Sequence, residues 1–330
     1  MLVHALPQAL TEKPRHMNAP APPAPPAAIA ATRPHAAVYV KLTLVALFWG
    51  GTFIAGRILA ATMSATSAAT GRFAIAALML VVLTWKIEGG LPKLSGRQVV
   101  TTFCLGATGI FLYNVCFFAA LARMPAGRTA LFVALNPVAT AVLLSIVVRG
   151  ERLSLSRWAG IAVALFGALV VISRGALLRV LTDLGNTFGA GERFMLCAVL
   201  SWAAYTVIGR RALDGLSPLA ATTYAALWGL ALLVVAHLFG SPAGSGTPLT
   251  WQAVASMLYL GAIGTVVAFV WYSQGIRELG PARAAVFTNL VPVFGVLLSV
   301  ALLGEPLSPS MLAGGALVIA GVALTNRAKR

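Results

Sequence analysis

The chain has 330 residues, of which 59% are hydrophobic and only 10% charged. A water-covered surface needs roughly 25–35% charged residues, so two ordinary soluble domains are excluded, as the mean hydropathy of +0.89 also says. The net charge of +16 does not indicate nucleic acid, because the cations stand singly between apolar runs and form no basic stripe; they read as topology signals.

Residues 1–38 are a separate material. The stretch APAPPAPPAAIAATRP over 19–34 is Ala/Pro-rich and cannot build a packed core, so a disordered or polyproline-like tail is predicted. The extreme N-terminus lacks a long apolar segment followed by a cleavage site, which argues against a cleaved signal peptide. Ten apolar runs follow, near 40–60, 64–84, 98–122, 127–148, 155–173, 194–212, 217–239, 251–276, 283–303 and 307–326. A helix rising ~1.5 Å per residue crosses a ~30 Å hydrocarbon core in about twenty residues. Each run meets that length, and none shows the ten-residue alternation of an outer-membrane barrel. The fold class predicted is an all-α integral membrane protein with ten transmembrane helices.

The connections carry the charges. An even number of spans puts both termini on one side. With the termini inside, seventeen of the 24 Lys and Arg residues fall in inner segments and six in outer ones, and Arg72 lies within a span. The positive-inside rule therefore places both termini in the cytoplasm of an inner-membrane protein.

The two halves repeat at an offset of about 153–155 residues. Trp49 matches Trp202; Gly106 and Gly109 match Gly261 and Gly264; Arg128, Leu135 and Pro137 match Arg283, Leu290 and Pro292; Gly150-Glu151 matches Gly304-Glu305. An ordered series of this length points to a duplication, with halves at 39–173 and 194–326, a linker at 174–193 and a basic tail at 327–330. Five spans per half is odd, so the second half must cross in the opposite sense, the inverted-repeat design of many carriers. The loop GERLSLSR at 150–157 keeps Arg152 and Arg157, whereas its twin GEPLSPSM at 304–311 has Pro306 and Met311 there, as inversion requires.

Over roughly 40–326 the sequence resembles the EamA-type permeases of the drug/metabolite transporter superfamily. The resemblance rests on FWGGTFIAGR in the first run, Arg72 in the second, and the Pro137 and Pro292 runs that end in Gly150-Glu151 and Gly304-Glu305. It implies two inverted five-helix units around a central substrate path. Family members commonly export amino acids and other small metabolites, while related carriers move drugs or nucleotide sugars.

Arg72 stands about a third of the way into its run, where a cation costs roughly 2.5–3.5 kcal/mol on insertion scales. It reads as an anchor for a substrate carboxylate or as a structural arginine on helix-end carbonyls; its repeat partner is taken as Tyr224. Pro137 and Pro292 remove a backbone bond in mid-run and predict kinks or hinges, and Asn136 and Asn289 beside them can satisfy freed groups or bind substrate. Trp49 and Trp202 fall near mid-membrane, with Thr52 and Tyr205 one turn on along the same faces. Tyr113 and Asn114, with Trp271, Tyr272 and Gln274, add polar edges to the same path. Trp85, Trp158 and Trp251 read as interfacial. Gly150, Glu151, Gly304 and Glu305 form helix-end motifs in which each carboxylate is expected to cap the next helix. Gly160 and Ala164, with Gly314, Val318 and Gly321, predict close helix packing.

No Asp, Glu or His lies well inside a run except His237 near the end of the seventh. Proton coupling thus lacks an evident carrier, and a cation–proton antiporter is disfavoured. There is no P-loop and no HExxH, and Cys104, Cys116 and Cys197 lie within apolar runs without metal-ligand spacing. No cofactor and no metal are called for. The expected partners are a small-molecule solute and the lipid bilayer, not nucleic acid, and the protein is a monomer or homodimer. The reading reached is a secondary transporter, not an enzyme, that exports amino acids or related metabolites by alternating access. Efflux of neutral or hydrophobic compounds, or a membrane scaffold or sensor, are the alternatives.

Overall fold

The computed structural model describes residues 36–147, 154–177, 188–212, 215–240 and 250–327. Most of the predicted N-terminal tail, the Gly150-Glu151 motif and most of the basic C-terminal tail lie outside these. Every regular element among the described residues is helical. The first half contains α1 (Ala36–Thr62), α2 (Ala65–Glu88), α3 (Gly96–Leu105), the π-helical π1 (Gly106–Leu112), α4 (Tyr113–Leu121), α5 (Ala126–Val133), α6 (Asn136–Val147) and α7 (Leu155–Ile172). The second contains α8 (Ala190–Ala212), α9 (Pro218–Gly240), α10 (Trp251–Leu258), π2 (Tyr259–Val267), α11 (Ala268–Leu279), α12 (Pro281–Thr288), α13 (Leu290–Leu303) and α14 (Pro309–Arg327). Eight helical stretches among the described residues are long and apolar enough to cross a membrane, and Pro309–Thr325 is a shorter apolar helix.

Local chemistry sets the ends. Ser64 accepts a hydrogen bond from the Ser67 amide at 3.2 Å to open α2. Ser95 and Gln98 form a reciprocal capping box at α3, and Ser154 and Thr250 cap α7 and α10. Each satisfies an amide that the first turn leaves free. Gly89 at φ 75 and Gly304 at φ 64 close α2 and α13 in the left-handed conformation that glycine takes without penalty.

The burial pattern is that of a lipid-facing bundle. Leu78, Ile146 and Phe239 point outward with 67%, 73% and 87% exposure, while Ala68, Ala69, Ala76, Thr84 and Arg72 turn inward. Small residues inside allow close backbone approach, and the large side chains outside meet acyl chains at no cost. The extreme case is α7 against α14. A Cβ on Gly167 would stand 2.7 Å from the Gly314 carbonyl oxygen, and one on Gly321 would stand 2.4 Å from the Ala164 amide nitrogen. The small residues predicted to pack tightly therefore pack against one another. Trp85, Trp158 and Trp251 are exposed near helix ends, where the amphipathic indole suits the membrane–water boundary.

Two irregularities recur in both halves. π1 begins 153 residues before π2, each inside an otherwise continuous helical rod. The α5–α6 rod breaks at Ala134 and Leu135, and the α12–α13 rod breaks at Asn289. These breaks fall two and three residues before Pro137 and Pro292, which sit not in mid-helix but in the first turns of α6 and α13, where a missing N–H leaves no gap in that helix.

Candidate functional site

π1 and π2 meet the opposite half at matched places. A Cβ on Gly106 would collide with Ala225 and Trp228 of α9, and one on Gly261 with Arg72 and Ile75 of α2. Gly109 lies against Tyr205, and Gly264 against Thr52. Ala225 and Arg72, Trp228 and Ile75, and Tyr205 and Thr52 are each 153 residues apart. This contact pattern makes Ala225 the counterpart of Arg72, not Tyr224, and it explains where Tyr224 goes. Its hydroxyl donates to the Pro92 carbonyl at 2.6 Å, at an exposed end of the bundle, and it does not join the other residues of the predicted path.

A π-turn leaves carbonyls out of the ordinary ladder, and side chains from the other half take them. The Trp49 indole N–H donates to the Gly264 carbonyl at 3.1 Å, and the Ser201 hydroxyl donates to Thr108 at 2.7 Å. Within π2 the Thr265 hydroxyl donates to Leu260, five residues back, at 2.8 Å.

Arg72 sits between these segments. Its Nη1 donates to Asn114 Oδ1 at 3.0 Å, and Nε and Nη2 donate to Thr265 Oγ1 at 3.3 and 3.2 Å. Asn114 is held in turn, because its amide donates to the Ile110 carbonyl of π1 at 2.7 Å. Arg72 is 8% exposed, and its hydrogen-bond partners among the described residues are all neutral oxygens. The described acids bond elsewhere or stay outside: Glu88 accepts from Ser217, Glu192 pairs with Arg128, Glu305 accepts from two amides, and Glu278 is exposed. The guanidinium is thus a fixed, buried cation without a protein counter-ion among the described residues, and it is aimed by side chains of both halves.

Two aromatic groups flank this centre. Trp49 packs edge-on to Phe269 at 5.8 Å and tilted on Tyr272 at 5.2 Å. Trp202 lies 5.1 Å from both Tyr113 and Tyr205. The Thr52 hydroxyl donates to the Trp49 carbonyl at 2.6 Å and is turned into its own helix. Trp271 packs on Phe48 at 5.8 Å with Lys41 over its ring at 6.0 Å, and Lys41 donates to Gln274 at 3.2 Å. Trp271 and Gln274 therefore belong to a separate contact with α1. Between Trp49, Tyr272, Phe287 and Thr288 the side chains leave no space that admits water. At the breaks, Asn136 has a buried Oδ1 without a partner among the described residues, while Asn289 is the half-buried hinge residue before α13.

The helix-end motif behaves differently from the expectation. Glu305 does not cap the following helix, where the Ser308 hydroxyl accepts from the Met311 amide at 3.3 Å. Its carboxylate reaches the start of α5 and accepts from the Ala126 and Gly127 amides at 2.8 and 3.0 Å. The preceding residue there is Pro125, which offers no side-chain cap, so the orphan amides of α5 and their dipole draw the carboxylate across. One turn on, Arg128 pairs with Glu192 at 3.0 Å and donates to the Ile172 carbonyl at 2.6 Å. Glu192 was expected in a linker. α8 instead begins four residues earlier than the apolar run, and its first turn carries a buried acid. His237 faces Ser67 at 3.3 Å where α9 ends and α2 begins.

The residues not foreseen are thus Thr265, Phe269 and Glu192. The GxxG pairs Gly106–Gly109 and Gly261–Gly264 were visible as repeats and carry a second signal, since paired glycines inside a helical run mark close backbone approach.

Comparison with known proteins agrees with this architecture. The model of the EamA-like transporter family matches twice, over residues 37–173 and 189–327. An uncharacterized transporter of Bacillus subtilis, YyaM, is 32% identical over 291 residues, covering 87% of this chain and 93% of that protein. A probable terminal-alkyne amino-acid exporter of Streptantibioticus cattleyicolor is 29% identical over 87% of this chain and 92% of its own length. A probable amino-acid metabolite efflux pump of Salmonella typhimurium is 27% identical over 84% and 91%. One solved crystal structure shares the fold with a TM-score of 0.58 at 20% identity, covering 88% of this chain and 97% of its own.

Proposed function

The chain belongs to the EamA-like transporter family and is a multi-pass membrane transporter, and from that premise we propose that it exports amino acids or related small carboxylates across the inner membrane by alternating access. Ten spans form two inverted five-helix units, 39–173 and 194–326, with both termini in the cytoplasm. The solute sits at the interface of the units, beside π1 and π2. Arg72 anchors its carboxylate, Asn114 and Asn136 serve its polar groups, and the Trp49–Tyr272 and Tyr113–Trp202–Tyr205 groups enclose it on either side. The α5–α6 and α12–α13 breaks at Pro137 and Pro292 are the hinges.

The observation that carries this reading is the buried Arg72 guanidinium whose described partners are all neutral. A cation at that depth is costly until an anion joins it, and a guanidinium fits a carboxylate with two parallel hydrogen bonds. The names of the Streptantibioticus and Salmonella relatives point to the same solute class. The aromatic groups favour the alternative, efflux of neutral or hydrophobic compounds. Untargeted mass spectrometry of medium from expressing cells separates the two. A carboxylate-bearing metabolite should accumulate with the intact protein and not with Arg72→Ala at equal expression. Loss of neutral-compound efflux alone, on blocking Trp49 and Trp202 with charged residues, would support the alternative.

A further inference from the structure

An apolar groove of about 530 Å³ opens on the side of the bundle, between π1 and α8. It is lined by Leu112, Leu196, Cys197, Leu200 and Ala204, with Thr108 and Ser201 on its floor and Arg193 at one end. Two of its lining residues are tied together by the bond from the Ser201 hydroxyl to the Thr108 carbonyl. The rise from Arg193 to Ala204 along α8 is about 16 Å, half of a ~30 Å hydrocarbon core. The groove's length is therefore that of one leaflet.

The cations at this end of the bundle are mostly consumed by the protein. Arg57 donates to the Leu121 carbonyl, Arg123 donates to Ala119 and covers the Phe194 ring at 5.0 Å, and Arg128 pairs with Glu192. Arg193 is exposed, and its side chain bonds to none of the described residues. A guanidinium that bonds to none of the described residues, beside an apolar trough about as long as one leaflet, matches a phosphate ester joined to an acyl chain.

We propose that this groove is a binding site for one membrane glycerophospholipid, with its phosphate on Arg193 and one acyl chain along Leu196, Leu200 and Ala204. The lipid lies behind α8, whose opposite face carries Trp202 and Tyr205. The proposal does not rest on the transport reading, because none of the groove-lining residues is among those assigned to hold the solute.

The test is native mass spectrometry of the purified full chain, released from micelles doped with phosphatidylglycerol. One lipid should stay bound to the intact protein through graded activation. Loss of a single charge near a lipid surface weakens binding about fivefold and reversal about thirtyfold. Arg193→Gln and Arg193→Glu should follow that order, while Arg157→Gln, at the opposite end of the bundle, should bind normally. Ala204→Trp fills the deep end and should abolish retention with Arg193 intact. Monodispersity and melting temperature identify any variant that fails to fold, and Leu200→Trp then serves as the second groove block. Equal retention by all variants overturns the proposal, as does retention by both groove-filling variants, which would mean a headgroup contact without an acyl seat. Loss of a dimer peak on filling the groove would assign it to a second copy of the chain and overturn it as well.

Discussion

Removing the Glu192 carboxylate should destabilise the bundle by about 3–5 kcal/mol, the usual cost of leaving one partner of a buried ion pair uncompensated. Both side chains are only 8% exposed, so solvent can do little to replace the lost charge. Arg128 keeps its 2.6 Å bond to the Ile172 carbonyl, which places the expected value for Glu192→Gln near the lower figure. The physics also fixes a second result. Replacing both partners with apolar residues of similar size removes the desolvation cost along with the attraction, and such exchanges are commonly neutral or stabilising. Arg128→Met with Glu192→Leu should therefore recover most of the loss caused by either change alone. Reversible unfolding in mixed micelles, read as a double-mutant cycle, should give a coupling well above the ~0.5 kcal/mol typical of independent sites. A Glu192→Gln loss under 1 kcal/mol, or a double variant as weak as the sum of the singles, would refute the assignment of a buried pair whose charges depend on each other.

The same geometry gives further expectations. Glu305→Gln weakens two charge-assisted hydrogen bonds to the start of α5, and a loss of about 2 kcal/mol is expected from that bond class; unfolding in the same micelles measures it. Because Glu305 and Glu192 tie α5 to the second half, either change should also raise the labelling of Tyr113→Cys by a membrane-impermeant maleimide, in a background lacking the native cysteines. Unchanged labelling would mean that these contacts do not hold that end closed. Gly167→Val drives a Cβ to 2.7 Å from the Gly314 carbonyl, and overpacking of this kind costs about 1–3 kcal/mol. It should lower the melting temperature while leaving the affinity for solute unchanged in the folded fraction. Trp49→Phe keeps the ring but loses the bond to Gly264; it should cost only ~0.6 kcal/mol in stability, yet reduce transport.

Much of the fold was legible because membrane spans are written in length and hydropathy. Every predicted apolar run coincides with helix to within four residues at each end. Pro137 and Pro292 read as mid-run kinks, whereas each stands in the first turn of the helix that follows a break. Gly160 and Ala164, with Gly314, Val318 and Gly321, announced a close contact, although not that α7 and α14 would be each other's partners. What escaped depends on distance through space. π1 and π2 differ from α-helix only in which carbonyl each amide reaches, and no residue type forces that choice. Glu305 looked like a local cap, but Ser308 took that place and the carboxylate crossed 179 residues of sequence to Ala126. Glu192 was hidden by its own charge, because an acid next to Arg193 reads as a loop until Arg128 is seen opposite it. Arg72 was legible as an anomaly, whereas its partners were half legible: Asn114 stood out as a polar residue in an apolar run, and Thr265 did not.

The most direct test is solute flux from proteoliposomes loaded with amino acids and, in parallel, with their carboxamide counterparts. Wild-type protein should release the carboxylates and spare the amides, and Arg72→Ala should release neither, with Arg72→Lys partly active because a point charge replaces the two-pronged contact. Equal flux of acids and amides, or full activity in Arg72→Ala, would contradict the assignment of a carboxylate anchor at the interface of the two halves.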